Sequence, residues 1–122
     1  MTHEHEKMSD EELDCEHGSS GFQGSPDRVI LKAAALLRAA GEPERLRLLE
    51  RLGFAEACVG ELAEELGWGM PTISQRLKVL HQEGLLSRRR EGKHIYYALD
   101  DDHVLQLLNN VMEHVAEGEP KR

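Results

Sequence analysis

The chain has 122 residues, 39% of them hydrophobic and 31% charged, and its 15 Lys and Arg against 23 Asp and Glu give a formal net charge of −8. That length holds one domain with one small core, so pairing of two copies is an expected source of further burial. No run of roughly eighteen apolar residues occurs and no basic segment leads into an apolar one near Met1, so neither a membrane span nor a signal peptide is expected; Cys15 and Cys58 are too few for a disulfide framework and point to free thiols or metal ligands in a protein expected to be cytoplasmic.

Charge is spread unevenly along the chain. Residues 1–27 carry eight acids against Lys7, a balance of −7, and turn Gly- and Ser-rich toward their end without apolar periodicity, so they read as a flexible acidic arm. The folded domain is expected over residues 28–117, with residues 118–122 as a tail. Its first helix keeps Val29, Ile30, Ala33, Leu36, Leu37 and Ala40 at helical spacing up to Gly41. A second follows Pro43 with Leu46, Leu49 and Leu52 on one side, closed by Gly53. Residues 28–69 are near neutral, six bases against seven acids.

The stretch CVGELAEELGWGMPTISQRLKVLHQEG reads as two helices around a tight break. The first runs from about Val59 to Leu66, burying Val59, Leu62, Ala63 and Leu66, and Gly67 ends it because glycine can take a left-handed backbone. The second begins at Met70, where Pro71 is tolerated in the first turn. Ile73, Leu77 and Leu80 fall at i, i+4 and i+7 toward the core, and Gly84 closes the helix. Thr72, Ser74, Gln75, Arg76 and Lys78 are left on or near the open side. A short helix, a glycine break and a longer helix with a polar, basic outer face form the pattern of a helix-turn-helix, whose second helix enters the DNA major groove.

In LLSRRREGKHIYYAL the period changes to two, with Ile95, Tyr97 and Leu99 on one face and Glu91-Gly92 as the turn of a hairpin. Its tip is crowded with Arg88, Arg89, Arg90, Lys93 and His94, and a basic hairpin directly after a helix-turn-helix is a wing, placed to touch phosphates or the minor groove. Arg89 is expected to act mainly through phosphate. Residues 70–99 hold six bases against two acids, +4, the one basic block in an acidic chain. Trp68, Tyr96 and Tyr97 read as packing or wing residues. The expected fold is mainly α with a β-hairpin wing, a winged helix-turn-helix homodimer.

From about Asp101 to Ala116 the chain is helical again and carries more apolar residues than one side of a small domain can hide; Val104, Leu108, Val111 and Val115 form a seam for pairing with a second copy. His103 and His114 are eleven residues apart, which sets them about 20° apart around the helix but roughly 16 Å apart along it, too far to share an ion within one chain. Glu117 lies three residues after His114 on the same face. If two such helices pair antiparallel near Leu108 and Asn109, Asp101 and His103 of one chain meet His114 and Glu117 of the other. Two imidazoles and two carboxylates suit tetrahedral Zn(II), with Co(II), Ni(II) or Cd(II) as alternatives. Asp100 and Asp102 compete with Asp101 for the ligand position, and acids at a helix start also serve as caps.

The chain resembles the ArsR/SmtB family of metal-sensing winged-helix repressors over about residues 28–117, through ERLRLLERL, CVGELAEELG, PTISQRLKVLHQEGLLSRRREGKHIYYAL, and D-x-H followed by H-x-x-E, the last pair being similar to the terminal-helix zinc site of the family's zinc sensors. The resemblance implies an apo dimer that binds an inverted-repeat operator, represses, and releases DNA when metal binds. Where the family's arsenic-type members carry a cysteine pair, CVGE has only Cys58. A second family site would draw on Cys58 and Glu61 with His3, His5, Cys15 and His17, and would favour softer ions. Two rival readings are a thiol or redox sensor on the same fold using Cys15 and Cys58, and, more remotely, a metal-dependent hydrolase; no enzyme is expected.

Overall fold

The computed structural model of the chain describes residue 18 and residues 21–120; His3, His5, Cys15 and His17 of the arm, and residues 121–122, lie outside the described residues. Residues 21–26 are exposed and belong to no helix or strand. Five helices and three strands follow: α1 Asp27–Ala40, α2 Pro43–Phe54, β1 Ala57–Cys58, α3 Val59–Leu66, α4 Met70–Gln82, β2 Leu86–Glu91, β3 His94–Leu99 and α5 Asp102–Glu117. Among the described residues, no helix is long and apolar enough to cross a membrane.

The core sits where α2, α3 and α4 meet. Leu48, Leu49, Leu62, Ile73, Leu77, Leu80 and Leu85 are fully buried, each contributing about 1.5–3 kcal/mol of burial free energy. The periodic positions of α4 thus face inward as their spacing requires, and Val59, Ala63, Leu66 and Trp68 pack against the same cluster. The break between α3 and α4 is made as expected: Gly67 takes φ 73, donates its N–H to the Ala63 carbonyl, and Met70 and Pro71 open α4.

Three expectations about boundaries change. Gly53 does not close α2; the helix runs through it to Phe54 and stops only where Ala55 is extended. Packing does not demand a glycine there, since an added Cβ would meet Leu105 of α5 at 3.4 Å and Leu99 of β3 at 3.5 Å, ordinary van der Waals contact. The hairpin turn is Gly92-Lys93 rather than Glu91-Gly92, because Glu91 still pairs with His94. Gly92, at φ 63, occupies the first loop position, where a two-residue hairpin turn demands positive φ. The wing also gains a third strand: β1 pairs antiparallel with β3, Ala57 opposite Tyr97 and Cys58 opposite Tyr96, giving the order β1-β3-β2. A strand of two residues is too short to show a period.

The seam expected on α5 is divided. Val104 and Leu108 are buried in the chain's own core, whereas Val111 and Val115 stay 42% and 58% exposed. The inward half is claimed by α2 and β3, which α5 packs against. Further apolar surface lies open on α1, which buries only Ala39 and Ala40 and exposes Val29, Ile30, Leu31 and Leu37.

Candidate nucleic-acid interface and metal centre

Burying Ile73, Leu77 and Leu80 turns the opposite side of α4 outward, and Thr72, Ser74, Gln75 and Lys78 are exposed along it. Arg76 is half-buried and differs from these neighbours. Its Nη2 forms an ion pair with Glu44 at the start of α2, and its Nε lies buried 4.0 Å from Glu42 Oε1, beyond hydrogen-bond reach. The recognition helix is therefore tied by its own arginine to the N-terminus of α2. Met70 and Ser74 of α4 also share a cleft with Ile95 and Tyr97 of the wing, which fixes the two candidate DNA-contacting elements side by side.

The strand register sorts the wing's cations by face. Leu86, Arg88 and Arg90 are paired with Leu99, Tyr97 and Ile95, the residues of β3 that turn toward the core and α4. Arg88 and Arg90 therefore extend the face next to the recognition helix, since side chains two apart share a side of a strand. Arg89 is on the reverse face. Its Nε and Nη2 donate to the two carboxylate oxygens of Glu56 at 3.1 and 2.6 Å, its Nη1 donates to Glu91 at 2.6 Å, and its guanidinium lies 4.9 Å from the centre of the Tyr96 ring. The paired Arg89 holds Glu56 below the usual carboxylate range. Lys93 and His94 are exposed at the tip. Neither Glu56 nor Glu44 is singled out by the sequence; each meets its arginine only through the tertiary fold, Glu56 from 33 residues away.

On α5 the candidate ligands Asp101, His103, His114 and Glu117 are all exposed. Asp101 is the N-cap: its Oδ1 accepts the Val104 N–H at 3.1 Å, and its Oδ2 lies 3.6 Å from Nδ1 of the highly exposed His103. The hydrogen bond from Val104, helped by His103, holds Asp101 below the ordinary carboxylate range. The cap thus uses one oxygen and leaves the other facing the imidazole, and of Asp100, Asp101 and Asp102 it is Asp101 that stands beside His103. His114 and Glu117 are exposed at the far end of the helix. No group of three or more His, Cys, Asp or Glu comes together among the described residues, so these four side chains cannot close around an ion inside one subunit. As donors they remain suited to zinc, two imidazole nitrogens and two carboxylates, all on exposed residues.

Glu61 has a structural duty: its carboxylate accepts the Cys58 N–H at 3.0 Å and so caps the start of α3. Cys58 is a half-buried free thiol.

Residues 42–88 match the family described as bacterial regulatory protein, arsR family. The chain is 35% identical over 97 residues to the HTH-type transcriptional repressor SmtB of Mycobacterium tuberculosis, covering 79% of this chain and 72% of that protein. It is also 35% identical over 86 residues to the transcriptional repressor SmtB homolog of Synechocystis, where the match spans 70% of this chain and 65%, just under two thirds, of the relative. Among solved structures, the homodimeric winged helix-turn-helix DNA-binding domain of Mb0332 from Mycobacterium bovis superposes with a TM-score of 0.73 at 28% identity, covering 81% of this chain and 94% of that one.

Proposed function

The chain belongs to the ArsR family of bacterial regulatory proteins, and from that premise we propose that it is a transcriptional repressor that binds operator DNA as an apo homodimer and lets go when Zn(II) binds between the subunits. The observation that carries the metal reading is the placement of donors on α5: Asp101 and His103 together at its start, His114 and Glu117 at its end, all of them exposed.

DNA recognition falls to the outward residues of α4, with Thr72, Ser74, Gln75 and Lys78 presented to base edges and backbone and the wing's cations to phosphates. Repression requires two copies, because the exposed apolar residues of α1 and α5 need cover and because two recognition helices must match half-sites about one helical turn, ~34 Å, apart or a multiple of it. With the terminal helices antiparallel, Asp101 and His103 of one subunit face His114 and Glu117 of its partner, and two equivalent sites result. Zinc, when bound, would be held by Asp101, His103, His114 and Glu117 and would supply a link between the subunits. The protein's part is to turn that link into geometry. Asp101 caps α5 and holds its orientation, α5 packs on α2 and β3, and α2 is tied through Glu44 to Arg76 of the recognition helix. A change in the angle between terminal helices therefore reaches the spacing of the α4 pair. By linkage DNA must weaken zinc binding as much as zinc weakens DNA binding, typically by about 1–3 kcal/mol.

The test is a zinc titration of the purified dimer on a labelled operator, repeated with cobalt, whose d–d absorption reports ligand type and geometry. His103→Ala and His114→Ala are expected to bind operator normally without metal and to stay bound in zinc. A normal zinc response in both variants contradicts the site.

A further inference from the structure

The wing of this chain carries three consecutive arginines, and the structure separates the middle one from its neighbours. We infer that Arg89 is a positioning residue, clamped by Glu56 so as to hold the wing at its angle, while phosphate contact falls to Arg88, Arg90 and Lys93. The inference rests on the reading that the chain binds DNA and adds to it which wing cations do so.

Three observations carry it. Each of the three guanidinium nitrogens of Arg89 already donates to a carboxylate, and the bond to Glu56 is two-pronged, the geometry in which an arginine–carboxylate pair is strongest. An isolated exposed ion pair would contribute little. Here, however, two carboxylates and the Tyr96 ring converge on one group, and a phosphate would have to displace a partner already in place. Second, the clamp spans the sheet. Arg89 belongs to the edge strand β2, crosses above Tyr96 of β3, and reaches Glu56 in the link between α2 and β1. The outermost strand of the wing is thereby fastened to the helical body. Third, the faces differ in charge. Arg88 and Arg90 give +2 beside the recognition helix, whereas Arg89 with Glu56 and Glu91 sums to −1 on the reverse, a face that repels a phosphate backbone.

The two roles have opposite signatures in the salt dependence of DNA binding, where each phosphate contact adds about 0.9 to the slope of log K against log salt. Arg88→Ala is expected to lower that slope by about 0.9. Arg89→Ala should weaken binding while leaving the slope at the wild-type value. Arg89→Lys keeps the charge but cannot grip Glu56 with two prongs, and should behave as Arg89→Ala does. Glu56→Gln is the sharpest variant: removing an acid near DNA ought to tighten binding by simple electrostatics, whereas loss of a clamp weakens it, here by roughly three- to tenfold, with the double variant no worse than either single one. A slope lowered in Arg89→Ala, a normal Arg89→Lys, or tighter binding by Glu56→Gln overturns the inference. If the wild-type protein binds no duplex, it is the repressor reading that fails. The clamp is then judged in the free protein, where hairpin amides should exchange faster in Glu56→Gln and Arg89→Lys, and unchanged exchange overturns it.

Discussion

Asp101 shows how one side chain can serve two ends. Its Oδ1 caps α5 and its Oδ2 faces His103, so removing the carboxylate and removing only its charge must have different consequences. Asp101→Asn keeps a good N-cap and should melt close to the wild type, yet lose the zinc response; Asp101→Ala should lose the response and a few degrees of melting temperature as well. Thermal melts run beside operator-release assays separate the two, and a zinc-responsive Asp101→Asn protein would show that the residue is a cap and nothing more. Sequence spacing places Asp101, His103, His114 and Glu117 at the two ends of α5, but three successive aspartates look alike until the cap shows Asp101 beside His103. The partners of Arg76 and Arg89 were not legible at all. A charge pattern read along the chain counts both arginines as free cations, and only the fold brings Glu44 and Glu56 to them.

At the level of elements, glycines that look alike in the sequence have different duties. Gly67 sits at φ 73 and ends α3, so Gly67→Ala should destabilise the domain by about 1 kcal/mol in a denaturant titration. Gly53 lies inside α2 with right-handed backbone and only ordinary contacts awaiting a Cβ, so Gly53→Ala should be neutral or stabilising, by up to about 1 kcal/mol. If both substitutions destabilised equally, the helical conformation of Gly53 would be in doubt. The strut between α2 and α3 gives a pH signature. Arg51 donates to Glu65 at 2.5 Å and to the Ala55 carbonyl at 2.7 Å, and the hydrogen bond from Arg51 to Glu65 lowers the Glu65 pKa. Because the folded pKa is the depressed one, the strut's contribution is complete above the ordinary carboxylate range and is lost as pH falls through the folded value. Glu65→Gln should therefore lower stability at neutral pH and lose less between neutral and acid; identical acid limbs for the two proteins would contradict this. Helices and hairpin were legible because their buried residues repeat at 3.6 or 2. The strand β1, two residues long, and the position of the wing turn were not, since pairing with β3 rather than local pattern decides both.

For the whole molecule, the split of charge and the surplus of apolar surface say most. A net charge of −8 conceals a basic block on α4 and the wing, and the apolar residues left on α1 and α5 exceed what one core covers. Sequence spacing puts the pairing seam on α5 alone. With Val104 and Leu108 taken into the chain's own core, Val111 and Val115 stay exposed there, and Ile30 and Leu31 stay exposed on α1. Leu31→Glu and Val115→Glu alter exposed positions, so each chain should fold, while sedimentation should show a shift toward monomer with weakened operator binding; dimers of wild-type strength in both would contradict pairing through these faces. The proposal that the metal site is shared between two chains can be tested without any structure of the complex. In an antiparallel pair each site takes Asp101 and His103 from one chain and His114 and Glu117 from the other. Neither His103→Ala nor His114→Ala homodimers then contain an intact site, but a mixed dimer of one such chain with the other contains one. Zinc binding to the two variants should thus be absent when each is alone and should return when they are mixed and allowed to exchange subunits; no recovery in dimers shown to be mixed would contradict a metal centre shared between chains.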